Sequence, residues 1–247
     1  MTQKVLNTNS AADKLRTMFA MQEALNAHTN GPDYKETQIC AKTGKPINYR
    51  RCAWMETAEF VDSFDWKHWK HGKDDIENAK TELVDIWHFI LGAVLVENLG
   101  APNTTTIEHA AKLILEKSAP VSGDAAYLYE TSEDFIVHTL NKTNKMFPEL
   151  GEPLSLMQPF GLFFEMCDAV GLSFNELYQR YIIKNTLNKF RQDNGYAEGN
   201  YIKIWHEGKE DNVFAVEAAM LLGDALSADT LYEELLAIYI ELVKRGA

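Results

Sequence analysis

The stretch from Asn78 to Val96 constrains this chain more than any other part of it. It reads N-A-K-T-E-L-V-D-I-W-H-F-I-L-G-A-V-L-V. A helix that is apolar around most of its circumference is expected to lie inside a protein. Yet this one carries Glu82 and Asp85, three residues apart and on one face. Charged groups are seldom buried unless they are paired or hold a metal. A second word of the same kind, Glu56-Thr57-Ala58-Glu59, lies upstream. From Trp54 to Phe64 the apolar residues Met55, Ala58, Val61 and Phe64 recur at helical spacing, and Glu56, Glu59 and Ser63 share another stripe. Four carboxylates brought together repel one another and raise some of their pKa values, so a fold that gathers them calls for a cation. Oxygen-only ligands select hard ions, with Mg²⁺ the usual one where substrate phosphates complete the shell. The plain alternatives are a solvated acidic face, or a salt bridge from Glu82 to Lys80 or Arg51.

A formal net charge of -12 and a sequence pI near 5.0 argue against general nucleic-acid affinity, which needs a basic footprint. They do not exclude a phosphate ligand held by a local cationic cluster and Mg²⁺. Hydrophobic residues make up 46% of the 247 positions, enough for a sizeable core. Cys40, Cys52 and Cys167 are widely spaced, contain no C-x-x-C, and suit a reducing compartment. The N-terminus shows no basic-then-apolar signal pattern, and the longest apolar run, Ile86 to Val96, is too short to span a bilayer. A cytoplasmic protein without membrane contact is the expectation.

The rest of the chain also reads as helix: 11–27, 51–64, 77–98, 107–117, 132–146, 154–170, 173–189, 213–222 and 230–244. Thr104-Thr105-Thr106 is a candidate cap for the fourth, and Ser132 for the fifth. No hairpin or repeat is evident, so an all-α helical bundle is expected. A single domain over 1–247 is the simplest division, with 99–170 a candidate for a separate, more mobile lobe.

Tyr181 to Asn212 is the second informative stretch. Lys184, Asn188 and Arg191 are spaced i, i+4, i+7 and form one polar, cationic stripe, opposite Ile183, Leu187 and Phe190. A Tyr- and Gly-rich loop with Lys203 follows. Arg191 can fork across phosphate oxygens, Lys184 and Lys203 act as point charges, and Asn188 and Tyr196 add neutral donors.

These motifs resemble the all-α, dimeric deoxyuridine triphosphatases (dUTPases) of the trypanosomatid and Campylobacter type, within the all-α NTP pyrophosphatase superfamily. The residues that carry the resemblance are Arg50 to Glu59, Asp62 to Lys70, Glu82 to Phe89, the run Lys184 to Tyr196, and Glu210-Asp211-Asn212. The stretch 99–170 carries little recognisable pattern. The resemblance implies a Mg²⁺-dependent homodimer that hydrolyses dUTP to dUMP and pyrophosphate, with attack favoured at the β-phosphorus. It assigns the metals to Glu56, Glu59, Glu82 and Asp85, with Glu56 or Glu59 orienting the water. It assigns base reading to Gln22 and Asn26, and base stacking to Phe89 beside His88, Trp66 and Trp69. The phosphates fall to Lys184, Asn188, Arg191, Tyr196 and Lys203. Two departures concern the closing loop: Ala197 stands where many members have Lys, and an extra residue lies at His206-Glu207. The Gln22 and Asn26 amides, rotated, could serve cytosine, so a dCTP/dUTP pyrophosphatase is the runner-up, with dUDP a further substrate. A non-catalytic, nucleotide-binding helical dimer is the alternative from another class.

Overall fold

The computed structural model describes residues 8–116, 125–151 and 159–246. These form ten α-helices and no strand; Ile39–Pro46 and Ile204–Glu210 are isolated antiparallel bridges. The helices are α1 (Thr8–Asn30), α2 (Tyr34–Thr37), α3 (Tyr49–Asp62), α4 (Ile76–Glu97), α5 (Thr104–Glu116), α6 (Ala125–Leu140), α7 (Pro159–Ala169), α8 (Phe174–Asp193), α9 (Asp211–Leu222) and α10 (Ala228–Gly246). The chain divides into two compact units, Met1–Tyr178 and Gln179–Ala247, with the boundary inside α8.

In the first unit α4 is the central element, and from Ile90 to Val96 every residue is buried. Its start is set by Asp75, whose side chain accepts from the Asn78 N–H at 3.0 Å. Trp87, wholly buried, stacks on Phe163 at 5.0 Å and meets Phe160 and Phe164. Its indole N–H donates to the Met18 sulfur at 3.2 Å, so no buried donor is stranded there. Gly92 permits the close approach of α3: a Cβ at that position would lie 3.0 Å from the Tyr49 ring. Helices α1 and α3 pack on α4, α5 on α1, α6 on α3 and α7, and α7 on α4.

Arg50 staples this arrangement. Its guanidinium pairs with Glu97 through Nε at 2.6 Å and Nη2 at 2.9 Å. It also donates to the carbonyls of Thr139 at 2.8 Å, Asn141 at 3.2 Å and Asn144 at 2.8 Å. One buried side chain therefore ties the start of α3 to the end of α4 and to the chain leaving α6.

The second unit is built around Phe190. The rings of Tyr201, Trp205, Tyr232 and Tyr239 surround it at 5.3–6.3 Å, and Leu187, Ala215, Leu231 and Leu235 complete the core. The Leu187 and Phe190 face of α8 thus faces inward, as the spacing predicts.

Several sequence expectations are corrected. The buried face of α3 is Ala53, Thr57 and Phe60, continued by Ser63, whereas Met55 and Ala58 are exposed. Helix α6 begins upstream of Ser132, which is no cap: it is fully buried and its hydroxyl donates to the Leu128 carbonyl at 2.8 Å. That back-bond satisfies the hydroxyl inside the helix. At α5 the cap is Asn103, accepting from the Thr106 N–H at 2.9 Å, rather than the threonines. The short α2 lies between the helices expected at 11–27 and 51–64, where none was expected. Residues 117 and 152–158, at the edges of two expected helices, lie outside the described residues.

Candidate active site

Two neighbouring helices bring three carboxylates to one point. Oxygens of Glu56 and Glu59, on α3, and of Glu82, on α4, all lie within 4.8 Å of one another. The local cause is simple: Glu56 and Glu59 are one helical turn apart, and α4 runs against the same helix. Glu82 is only 9% exposed, Glu56 is half-buried and Glu59 is exposed, so the group grades from the interior to solvent. Lys80, an alternative partner for Glu82, is engaged elsewhere, with Glu176 at 3.3 Å and Glu77 at 3.5 Å. Oxygens that share one Mg²⁺ at about 2.1 Å sit roughly 3 to 4 Å apart. The observed spacing needs only side-chain adjustment to meet that, so an all-oxygen set fits a hard divalent ion. Asp85 is half-buried one turn further along α4 and is not a member of this group.

The Cys52 thiol, four residues before Glu56, is pushed up by burial and then by the Glu56 charge. It is therefore a thiol at neutral pH and a poor nucleophile.

Gln22 and Asn26 are buried on α1 and bonded to each other, Gln22 Nε2 donating to Asn26 Oδ1 at 2.9 Å. Asn30, one turn on, donates to the Asn26 carbonyl and to the Tyr49 hydroxyl, both at 3.1 Å. Beside Asn26, burial pushes the Tyr34 phenol up to about 12. Phe89 is half-buried and stacks on Tyr49 at 6.3 Å. His88 is buried, with Nδ1 at 2.8 Å from the Val84 carbonyl.

Trp66 and Trp69 are exposed and meet edge to face at 5.7 Å. The Trp66 indole donates to Asp62 at 2.9 Å, and Lys67 pairs with the same carboxylate at 2.7 Å.

In the second unit, Arg191 is clamped by Asp211: Nε donates to Oδ2 at 2.7 Å and Nη2 to Oδ1 at 2.8 Å. Its Nη1 reaches Asn188 at 3.4 Å. Burial disfavours the Arg191 charge, but Asp211 outweighs it and the guanidinium is held still more firmly protonated. Lys184 is half-buried on α8 and Tyr196 is 49% exposed. Lys203 pairs with Glu210 at 3.0 Å.

In the sequence Asp211 carries part of the family resemblance without an assigned role, and Tyr201 has neither. The signal for Asp211 was its place immediately before an apolar run, at a helix start; its complete burial has no sequence signature.

Among the described residues the architecture is all-helical and carries an acid group of metal-ligating type, which defines the class as an all-α protein with a candidate metal site. The model of the dUTPase family matches residues 14–196, a span that includes Gln22, both acidic words and the cationic stripe of α8. The chain belongs to the dUTPase family and is a dUTP diphosphatase of the all-α type. A search of curated proteins returns no match. Among the described residues no helix is long and apolar enough to cross a membrane.

Proposed function

We propose that this dUTPase is a Mg²⁺-dependent, cytoplasmic homodimer that converts dUTP to dUMP and pyrophosphate. The observation that supports it most is the convergence of Glu56, Glu59 and Glu82 within 4.8 Å. These three hold Mg²⁺, with Asp85 completing the set from the next turn of α4. When bound, the metal lowers the pKa of a coordinated water and neutralises charge on the phosphate chain. Glu59, the solvent-facing member, takes the proton of the attacking water on a carboxylate oxygen. Lys184, Asn188, Arg191, Tyr196 and Lys203 bind the phosphates, an assignment that rests on the family resemblance. Positioning and charge neutralisation dominate such transfers.

Gln22 and Asn26 read the uracil edge, and Phe89 stacks on the base, with Trp66, Trp69 and His88 around it. Among the described residues the buried Asn26 Nδ2 meets no hydrogen-bond acceptor in good geometry. With Asn26 Oδ1 taken by Gln22, this donor suits the O4 acceptor of uracil rather than the amino group of cytosine. That favours dUTP over dCTP. The outer side of α3, with Trp54 and Met55 at 37% and 48% exposure, supports pairing with a second copy.

Pyrophosphate release should be measured with dUTP, dUDP, dCTP, dTTP and UTP across a Mg²⁺ titration. Metal-dependent turnover preferring dUTP is expected, and Glu82→Gln should abolish it in a folded protein. Preference for dCTP would overturn the base assignment, and turnover without a divalent ion would overturn the metal assignment. Light scattering after size exclusion should give twice the chain mass.

A further inference from the structure

Asp211 is wholly buried, yet it lies at the first turn of α9, where helix ends usually meet water. Besides the two bonds from Arg191 it accepts the Tyr201 hydroxyl at 2.8 Å. Its backbone N–H donates to the Lys203 carbonyl at 3.0 Å. One residue therefore fixes a guanidinium on α8 and, independently, the loop segment 201–203.

The way Arg191 is held matters. The Nε and Nη2 edge is spent on the carboxylate, which leaves the Nη1 side with the long 3.4 Å contact to Asn188. A guanidinium has five N–H donors in a planar fork, so a side-on clamp freezes its plane while keeping an edge for an oxyanion. The segment that Asp211 pins is further anchored: the Ile202 N–H donates to the Tyr239 hydroxyl at 3.1 Å, and the Trp205 indole to the Ile202 carbonyl at 2.8 Å. Lys203 thus projects from a fixed backbone, its side chain 47% exposed. A carboxylate whose only task was to neutralise Arg191 would not need the second attachment.

We propose that Asp211 is a positioning residue for the polyphosphate: it orients Arg191 through a side-on clamp and holds the backbone that carries Lys203. This rests on the assignment of Arg191 and Lys203 to phosphate binding. The 194–212 loop is thus organised before substrate arrives, by a carboxylate that never touches the ligand. Pre-organised donors lose less entropy on binding than donors that must be collected.

The test is calorimetric titration of the full-length enzyme, with Mg²⁺, using α,β-imido-dUTP and, separately, deoxyuridine, which has no phosphate. Asp211→Asn keeps the shape but loses the charge and one acceptor. It is expected to weaken α,β-imido-dUTP on the order of tenfold, the scale of one charge-assisted contact, and to leave deoxyuridine unchanged. Tyr201→Phe, which keeps the ring packing, is expected to act a few-fold in the same direction, and it decides the matter if the Asn variant fails to fold. Added to Arg191→Ala, Asp211→Asn should cost nothing more, because the two act as one unit. Equal loss for both ligands would make Asp211 a purely structural residue and overturn the inference. An effect of Arg191→Ala with none from Asp211→Asn or Tyr201→Phe would overturn it alone. No effect of Arg191→Ala would overturn the phosphate assignment and this inference with it.

Discussion

Carboxylates are treated in opposite ways in the two units. On α3 and α4, three acids bring oxygens within 4.8 Å of one another. In the second unit Asp211 meets donors in fixed positions, and its charge is consumed locally. The acid group of α3 and α4 is suited to recruit a cation from outside the chain; the capped one is suited to hold chain segments still. Burial alone does not separate them, since Glu82 and Asp211 are both buried. What separates them is the company of other carboxylates: Glu82 has two within 4.8 Å, whereas Asp211 is met by Arg191 and Tyr201. Glu97 extends the capped type into the first unit, with Arg50 in the place of Arg191.

The largest effect should come from opening that capped pair. Arg50→Ala removes a side chain that bonds Glu97 and three carbonyls, leaving all of them short of a donor. Glu97 is exposed, so the ion pair itself is screened; the loss comes mainly from the three carbonyl bonds, at about 1 kcal/mol each or roughly 3 kcal/mol together. Urea unfolding should show a loss of that size, and a loss under 1 kcal/mol would put the pair among ordinary surface bridges. Catalytic constants per folded molecule should change little, since Arg50 holds the helices and not the substrate.

Breaking the converging group should do the reverse. Glu82→Gln is expected to leave the fold cooperative but to blunt stabilisation by Mg²⁺. At a hundredfold excess over its Kd, a ligand adds about 2.7 kcal/mol to stability. Thermal melts with and without Mg²⁺ should show most of that increment in the parent protein and little in the variant. An identical shift in both proteins would mean that the ion binds elsewhere.

The contrast between these regions was only partly legible in the sequence. Helix α4 was plain, because an unbroken apolar run with two acids admits few readings. The inward face of α8 was equally plain, since Leu187 and Phe190 have no apolar rivals on the opposite stripe. Helix α3 misled because it carries two apolar stripes. Its own periodicity could not decide whether Ala53, Thr57 and Phe60 or Met55 and Ala58 would face inward; packing buried the first set and left the second exposed. Ser132 misled for a related reason: serine is favoured at helix starts, but buried mid-helix it can bond its own backbone. The pairing of Arg191 with Asp211 joins residues twenty positions apart across a loop, and nothing local announces it.

A smaller effect should follow at α5. Asn103→Ala removes the side-chain acceptor for the Thr106 N–H. Loss of such a cap typically costs about 1 kcal/mol. Asn103→Asp should retain most of the stability, and Thr104→Ala should be near neutral. The reverse order would return the cap to the threonines.

The smallest effect belongs to an exposed version of the capped design. Asp62 accepts from Lys67 and from the Trp66 indole, and these bonds, Lys67 first, hold its carboxyl below the ordinary value of 3.8. A depressed carboxylate pKa contributes order that is fully present above the unfolded value and is lost as pH falls through the folded one. Trp66 fluorescence, read in a variant that lacks the other four tryptophans, should therefore stay constant from neutral pH down to about 5. It should change only below the ordinary aspartate range. Asp62→Asn should remove that acid transition while sparing the global melt. A transition centred at or above the ordinary value would mean that Lys67 and Trp66 do not hold the charged form, and the capped design would then be confined to the buried pairs.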